Sequence, residues 1–163
     1  MSFNFKDSLE TGQEAAANVA ASRKEVSFVL DQLKRDLSEF LGVELELIIK
    51  DEIEYRKRGR DSKSSYVLGG LMTLGIAAGS DIGLGAPIKT GYKSISFKGS
   101  LDNKFELFQI KEGQNVFPLN VKSDVHKSIA VDCEELVEVI GMILENPKTH
   151  TKFRAFTKYE NEF

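Results

Sequence analysis

The stretch VELELIIKDEIEYR, residues 43–56, indicates the fold class of this chain. Its apolar and its charged residues fall on opposite parities, and in a β-strand opposite parities are opposite faces. A strand with one apolar face and one face in water is typical of an antiparallel sheet rather than a parallel one. The apolar parity carries Val43, Leu45, Leu47, Ile49, Ile53 and Tyr55, and the charged parity carries Glu44, Glu46, Lys50, Glu52, Glu54 and Arg56.

Shorter strand signals follow along the chain. Segments 92–98 and 104–110 alternate on either side of GSLDN and predict a hairpin. Segment 115–122 also alternates, and its Pro118 predicts an edge strand, because proline cannot donate a ladder hydrogen bond. Two further short strands are predicted at 128–131 and 149–156.

Helical periodicity marks the N-terminal region. One apolar stripe has spacings of 7, 4, 3, 4 and 3 residues. A capping pattern at Asp7 and Glu10 predicts the start of this helix and Gly42 predicts its end. A second capping pattern at 22–25 leaves open the alternative that this region forms two helices instead of one. The stripe consists of Val19, Val26, Leu30, Leu33, Leu37 and Phe40.

A second helix is predicted near the C-terminus. Asp132 and Glu135 form a capping box, and Pro147 ends the helix. Its apolar face is Leu136, Ile140, Ile143 and Leu144. The order helix, strands, helix predicts an α+β fold, in which an antiparallel sheet of about five or six strands is flanked by a long N-terminal helix and a C-terminal helix. We expect a single domain over 1–163, with a frayed tail at 157–163.

Length and composition limit the class of protein. A chain of 163 residues, 41% apolar and 29% charged, has the size and composition of one soluble globular domain. Its net charge of −3 argues against broad binding to nucleic acid or to anionic membranes. The one cysteine, Cys133, cannot form an internal disulfide, and the first residues show no signal-peptide pattern. We therefore expect a cytoplasmic protein.

The glycine-rich stretch YVLGGLMTLGIAAGSDIGLGAPIKT, residues 66–90, is long enough for a membrane span and resembles a phosphate-binding loop. Asp81 and six glycines disfavour a transmembrane helix. Ile88 stands where the P-loop pattern requires its second glycine, and the following residues alternate like a strand instead of opening a helix. We expect buried strand and turns here, with no membrane contact and no cofactor.

Two charged clusters are the predicted binding surfaces. The first is acidic and lines one strand face, where neighbours two apart lie about 6.5–7 Å from each other. A hard cation needs ligands from several elements, so a solvated face or a surface for a basic protein is expected instead of a metal site. The second cluster is basic and lacks the interleaved aromatics of single-strand nucleic-acid binding. The clusters are Glu44, Glu46, Glu52 and Glu54, and Arg56, Lys57, Arg58 and Arg60.

The candidate catalytic residues are Asp102, Glu106 and Lys111, which are similar to the carboxylate–carboxylate–lysine set of PD-(D/E)xK nucleases. That site needs its Glu and Lys two apart. Here they are five apart, and a regular strand would place them on opposite faces unless a bulge intervenes. His126 and His150 lie in no nucleophile or zinc pattern, and Cys133 is interpreted as a core residue.

The polar residues form faces and loops and not a convergent constellation. The leading hypothesis is therefore a non-catalytic protein-binding module, of the kind that includes immunity proteins and antitoxins, which binds a partner protein through the charged surfaces. The first alternative is a metal-dependent phosphodiester hydrolase. The second is a self-associating structural subunit, with the alanine-rich start of the first helix as its seam.

Overall fold

The computed structural model describes residues 5–57 and 84–162. The predicted conformation of residues 66–83 therefore lies outside the described residues. In chain order, the elements are α1 (Lys6–Leu41), β1 (Glu46–Lys57), β2 (Leu84–Lys98), β3 (Lys104–Gly113), β4 (Val116–Lys122), β5 (Lys127–Ala130), α2 (Cys133–Glu145) and α3 (Pro147–Glu162).

The strands form one five-stranded sheet in the order β1-β2-β3-β4-β5. The pairs β2–β3, β3–β4 and β4–β5 are antiparallel. This sheet, with one N-terminal and two C-terminal helices, confirms the predicted α+β fold. The chain divides into two compact units, Met1–Glu52 with Gly91–Phe163 and Ile53–Thr90. The single domain over 1–163 stays a prediction.

One apolar core joins the helices of the larger unit to its sheet. The sheet contributes facing pairs, because cross-strand partners point to the same side. α1 contributes its stripe, with Val26, Leu30, Leu33 and Leu37 buried. The sheet pairs are Ile95 with Phe108, Phe97 with Phe105, Val121 with Ile110, and Leu119 with Ala130.

Helix α1 is a single helix of 36 residues that runs without a break through positions 22–25, so it is not divided into two pieces. Its start differs from the prediction. Asp7 lies in the first turn and Phe5, which has no hydrogen-bonding side chain, is the N-cap. An acidic residue is favourable there because of the helix dipole, so a capping sequence is not required. Gly42 ends the helix as predicted, with a φ of 66° and its N–H donating to the carbonyl of Ser38.

The prediction of a strand at 149–156 is wrong, since these residues belong to α3. Pro147 is its first residue, where a missing N–H costs nothing, and Asn146 Oδ1 accepts a hydrogen bond from the Lys148 N–H. Thr149, Phe153 and Phe156 are the buried residues, at spacings of 4 and 3 that fit a helix and not a strand. Residues 157–162, predicted as a frayed tail, form the C-terminal part of α3.

Pro118 does not lie on an edge strand, because β4 is between β3 and β5. The β3–β4 register shifts between Lys111 and Gly113, which pair with Asn120 and Val116. Pro118 falls within this irregularity, where the ladder does not require its missing N–H.

Residues 84–90, the end of the stretch predicted as buried strand and turns, are all strand. The side chains of Pro87, Ile88 and Lys89 are exposed and not buried. Among the residues described, no helix has the length and apolarity needed to cross a membrane.

Candidate functional site

The predicted acidic surface lies on and just before β1. Glu44 and Glu46 are exposed and Glu52 is half-buried in the larger unit, and Glu54 is exposed in the smaller one. Glu44 and Glu46 border an open depression of about 190 Å³ together with Lys98. Lys98 forms an ion pair with Asp102, and this hydrogen bond, with a smaller contribution from Glu46, raises the pKa of the lysine. Lys98, the lysine beside Glu44 and Glu46, is therefore already paired with Asp102.

The apolar face predicted for β1 is only partly covered. Leu45 is buried and Leu47 half-buried, but Ile49 is 49% exposed. In the smaller unit, Ile53 and Tyr55 are exposed as well.

The predicted basic cluster begins at the end of β1. Arg56 and Lys57 belong to the strand, and nothing is described of their side chains. Arg58 and Arg60 lie outside the described residues.

A β-bulge places two of the candidate catalytic residues on one face. Ile95 pairs with Phe108 and Ser96 with Glu106, so Leu107 is an extra residue in β3. Because of this extra residue, the side chains of Glu106 and Lys111 lie on the same face of β3. They remain about 13 Å apart along the strand, too far to share one metal ion.

Each candidate catalytic residue has a different neighbour. Glu106 accepts hydrogen bonds from Ser94 and from Gln109, the latter over 3.1 Å between Nε2 and Oε1. The Lys111 Nζ lies 5.6 Å from the centroid of the Tyr92 ring. Asp102, with a φ of 64°, pairs with Lys98. In the described parts of the chain, no three His, Cys, Asp or Glu side chains are grouped to hold a metal ion.

The remaining nucleophile and acid–base candidates occupy structural positions. Burial raises the pKa of the Cys133 thiol, and nearby carboxylates raise it further, so this thiol is not activated. His126 lies in the β4–β5 turn, where the Ser123 hydroxyl accepts its backbone N–H over 2.9 Å. His150 packs edge-on against Phe40 and Phe153, with centroid distances of 6.0 and 5.6 Å.

A concave apolar surface lies between α1 and the C-terminal helices. Two adjoining depressions, each of about 290 Å³, share Leu33, Asp36 and Leu144 as lining residues. We call their combined surface the α1–α2 groove. Phe40, Glu145 and His150 complete one end, and Phe28, Val137 and Gly141 complete the other.

Large apolar side chains at both ends of the α1–α2 groove are in contact with water. Phe28 is 64%, Phe40 65% and Val137 53% exposed. A methyl group added at Gly141 would meet nothing within 4 Å, so the floor of the groove has open space beside α2. Contiguous exposed apolar surface of this kind is typical of a binding surface.

The charge at the rim of the α1–α2 groove is negative. Asp36 and Glu145 are its two acidic lining residues, and Asp36 accepts a hydrogen bond of 2.7 Å from Gln32. Helix α2 carries four glutamates and no lysine or arginine. Beyond Phe40 and His150, a third depression of about 440 Å³ is lined by Arg154 and Lys158, so the charge reverses where the groove reaches α3.

Reasoning from the sequence did not identify this groove. The apolar stripes predicted most of the buried faces of α1 and α2, with Leu30, Leu33, Leu136 and Ile140 in the core, but Phe40 of the α1 stripe is exposed. The available signal was Phe28 and Val137, which lie beside these stripes and not on them.

Comparison of the chain with protein-family models, with curated proteins and with solved structures finds no match.

Proposed function

We propose that this chain is a non-catalytic protein-binding module and that the α1–α2 groove binds its partner. The observation that supports this most directly is the exposure of Phe28, Phe40 and Val137 around two adjoining apolar depressions. Exposed aromatic residues around a pocket are the usual anchors of protein interfaces.

The partner segment we propose is an amphipathic helix. A groove between helices accepts such a segment through side chains three or four residues apart, which project from successive turns. Two depressions that share Leu33 and Leu144 can each accept one such side chain. We expect leucine, methionine or an aromatic residue at these two positions of the partner.

The acidic rim selects among partners. Asp36 and Glu145 attract lysine or arginine beside the apolar side chains of the partner, and the glutamates of α2 extend the same field. Charge at a rim acts mainly on the rate of association and on specificity, so the apolar residues carry most of the affinity.

The charged surfaces of the sequence-based hypothesis remain secondary proposals. Glu44, Glu46, Glu52 and Glu54 would contact a basic partner, and Arg56, Lys57, Arg58 and Arg60 an acidic one. A cytoplasmic role in neutralising a toxic partner, as immunity proteins and antitoxins do, also remains a proposal. The hydrolase alternative has less support, because Asp102, Glu106 and Lys111 each have a different partner.

The test is co-purification of tagged protein from its own cells, with three variants in parallel. The variant Phe28→Glu/Val137→Glu places charge in the groove. Ile129→Glu is the matched control, since Ile129 is 57% exposed on the opposite sheet face. Glu44→Lys/Glu46→Lys tests the acidic surface. We expect one stoichiometric partner with wild type and the control, and its loss with the groove variant. If the groove variant retained the partner, or if only the Glu44→Lys/Glu46→Lys variant lost it, the binding site would lie outside the α1–α2 groove.

A further inference from the structure

The α1–α2 groove continues past Phe40 into the third depression, which has a volume of about 440 Å³. Phe40, His150 and Phe153 line both this depression and the adjoining end of the groove. Along α1, lining residues of the three depressions recur every four positions from Phe28 to Phe40. At 1.5 Å per residue, Phe28 and Phe40 are about 18 Å apart along the helix axis, which is a little over three turns. A bound helix of that length can therefore lie along all three depressions.

The charge of the lining residues changes sign along this path. The two depressions of the α1–α2 groove are lined by Asp36 and Glu145 and, among the residues described, by no lysine or arginine. The third depression is lined by Arg154 and Lys158 and by no carboxylate of the described residues. A helix bound along the whole path therefore meets a negative field over one part and a positive field over the next.

The two cations of the third depression are poorly neutralised by the protein itself. None of the ion pairs between described residues involves Arg154. Lys158 pairs with Glu162 over 3.5 Å, but the two side chains are 74% and 59% exposed, and ion pairs in water are weak. Arg154 and Lys158 are four residues apart on α3, where like charges repel each other. A carboxylate bound between them would remove this repulsion.

We propose that the partner helix carries both charge signs on the side that faces this protein. The inference rests on the proposed function, since it takes the α1–α2 groove as the binding site. A lysine or arginine beside the first apolar side chains pairs with Asp36 or Glu145, and an aspartate or glutamate lies between Arg154 and Lys158. Because Asp36 lines the groove and Leu41 lines the third depression, the two charges of the partner are about one to two turns apart.

This arrangement selects against helices of a single charge sign. A uniformly basic amphipathic helix would be attracted to Asp36 and repelled by Arg154, and a uniformly acidic one would be repelled by Asp36. Repulsion of the wrong partner contributes to specificity as well as attraction of the right one. The acidic rim of the α1–α2 groove alone would accept a uniformly basic helix, so the third depression provides the discrimination.

Three synthetic peptides of about 18 residues, about 27 Å long as helices, test the charge order. All share one face of leucines spaced three and four residues apart, and a covalent staple on the outward face keeps them helical. Their flanking charges are lysine in one half and glutamate in the other, lysine throughout, or glutamate throughout. Fluorescence anisotropy measures their dissociation constants with the full chain. We expect the mixed peptide to bind about tenfold more tightly than either uniform one. This preference should disappear at about 1 M salt, where charges are screened.

Charge reversal in the protein is the second arm of the test. Arg154→Glu/Lys158→Glu makes the whole lining negative, so we expect this variant to prefer the all-lysine peptide over the mixed one. Lys104→Glu/Lys127→Glu is the matched control, because it makes the same change in net charge at two exposed residues of the sheet. The control should retain the wild-type preference. Circular dichroism verifies that both variants are folded.

The outcomes separate this inference from the proposed function. If Phe28→Glu/Val137→Glu abolishes peptide binding but wild type does not distinguish the three peptides, the charge order is wrong and the groove remains the binding site. The same conclusion follows if the Arg154→Glu/Lys158→Glu variant keeps the wild-type preference. If Phe28→Glu/Val137→Glu binds the mixed peptide as wild type does, or if wild type binds none of the peptides, both proposals are wrong.

Discussion

Arg23 and Glu112 form an ion pair of 3.2 Å that joins α1 to β3 at the point where the packed half of α1 begins. Lys93 of β2 binds the other oxygen of Glu112 over 3.1 Å. Burial raises the pKa of Glu112, but the hydrogen bonds from Lys93 and Arg23 outweigh it and hold the pKa below its ordinary value. One carboxylate thus links three elements of the larger unit.

Glu112→Gln should lower the free energy of unfolding at neutral pH by about 0.5–1 kcal/mol, a modest value because Arg23 is largely exposed. Since the folded pKa is lowered, the ionised form stabilises the fold. The contribution is complete above the unfolded value near 4.5 and is lost as pH falls through the folded value. Urea unfolding of both proteins at about pH 7 and pH 3 measures the difference. An equal difference at both pH values would show that ionisation is not its source.

Asp132→Ala should destabilise the protein by about 1 kcal/mol through the start of α2. Asp132 Oδ1 accepts the Glu135 N–H, and Glu135 Oε2 accepts the Val131 N–H, each over 2.9 Å. The two bonds form the predicted capping box. Asp132→Asn retains an acceptor and should cost less. Thermal unfolding of both variants measures this, and equal losses would show that charge and not capping is responsible.

Gly99→Ala and Gly141→Ala should have opposite effects. A methyl group at Gly99 would lie 2.8 Å from Cζ of Phe156, a buried ring, so we expect a loss of about 1–3 kcal/mol. Gly141 lies inside α2 with nothing within 4 Å, so alanine should stabilise the helix by about 0.5–1 kcal/mol. Denaturant titration compares both with wild type. A neutral Gly99→Ala would mean that α3 moves aside without cost.

Phe153→Ala should cost about 3–5 kcal/mol, because Phe153 is 3% exposed and packs edge-on against Phe105 at 5.5 Å. Arg154→Ala, one residue along α3 and exposed, should change stability by less than about 0.5 kcal/mol. Equal effects of the two substitutions would be inconsistent with a helix that buries one face. Chemical unfolding of the two variants measures this.

The sequence correctly predicted the elements in which the apolar residues of the pattern are the ones buried in the structure. The alternation of 104–110 and the heptad-like stripe of α1 each have one buried side in the structure. Residues 149–156 were predicted as a strand, but the buried residues Thr149, Phe153 and Phe156 have a helical spacing. The edge position of Pro118 was wrong because a register irregularity, which a sequence does not display, removes the need for its N–H.

The candidate site depends on tertiary structure more than the individual helices and strands do. Neither the bulge at Leu107 nor the α1–α2 groove can be derived from one segment, since each arises from the pairing or packing of two elements. Phe28 and Val137 are far apart in the sequence, so the sequence alone does not show that they line one depression.

Calorimetric titration of the purified partner tests the proposed function most directly. We expect Phe28→Ala/Val137→Ala to weaken binding by about 100-fold or more, since anchor residues each contribute roughly 2 kcal/mol. Ile129→Ala, equally exposed on the opposite sheet face, should leave the dissociation constant unchanged. Circular dichroism confirms that the variants remain folded. An affinity of the groove variant within about threefold of wild type would contradict partner binding in the α1–α2 groove.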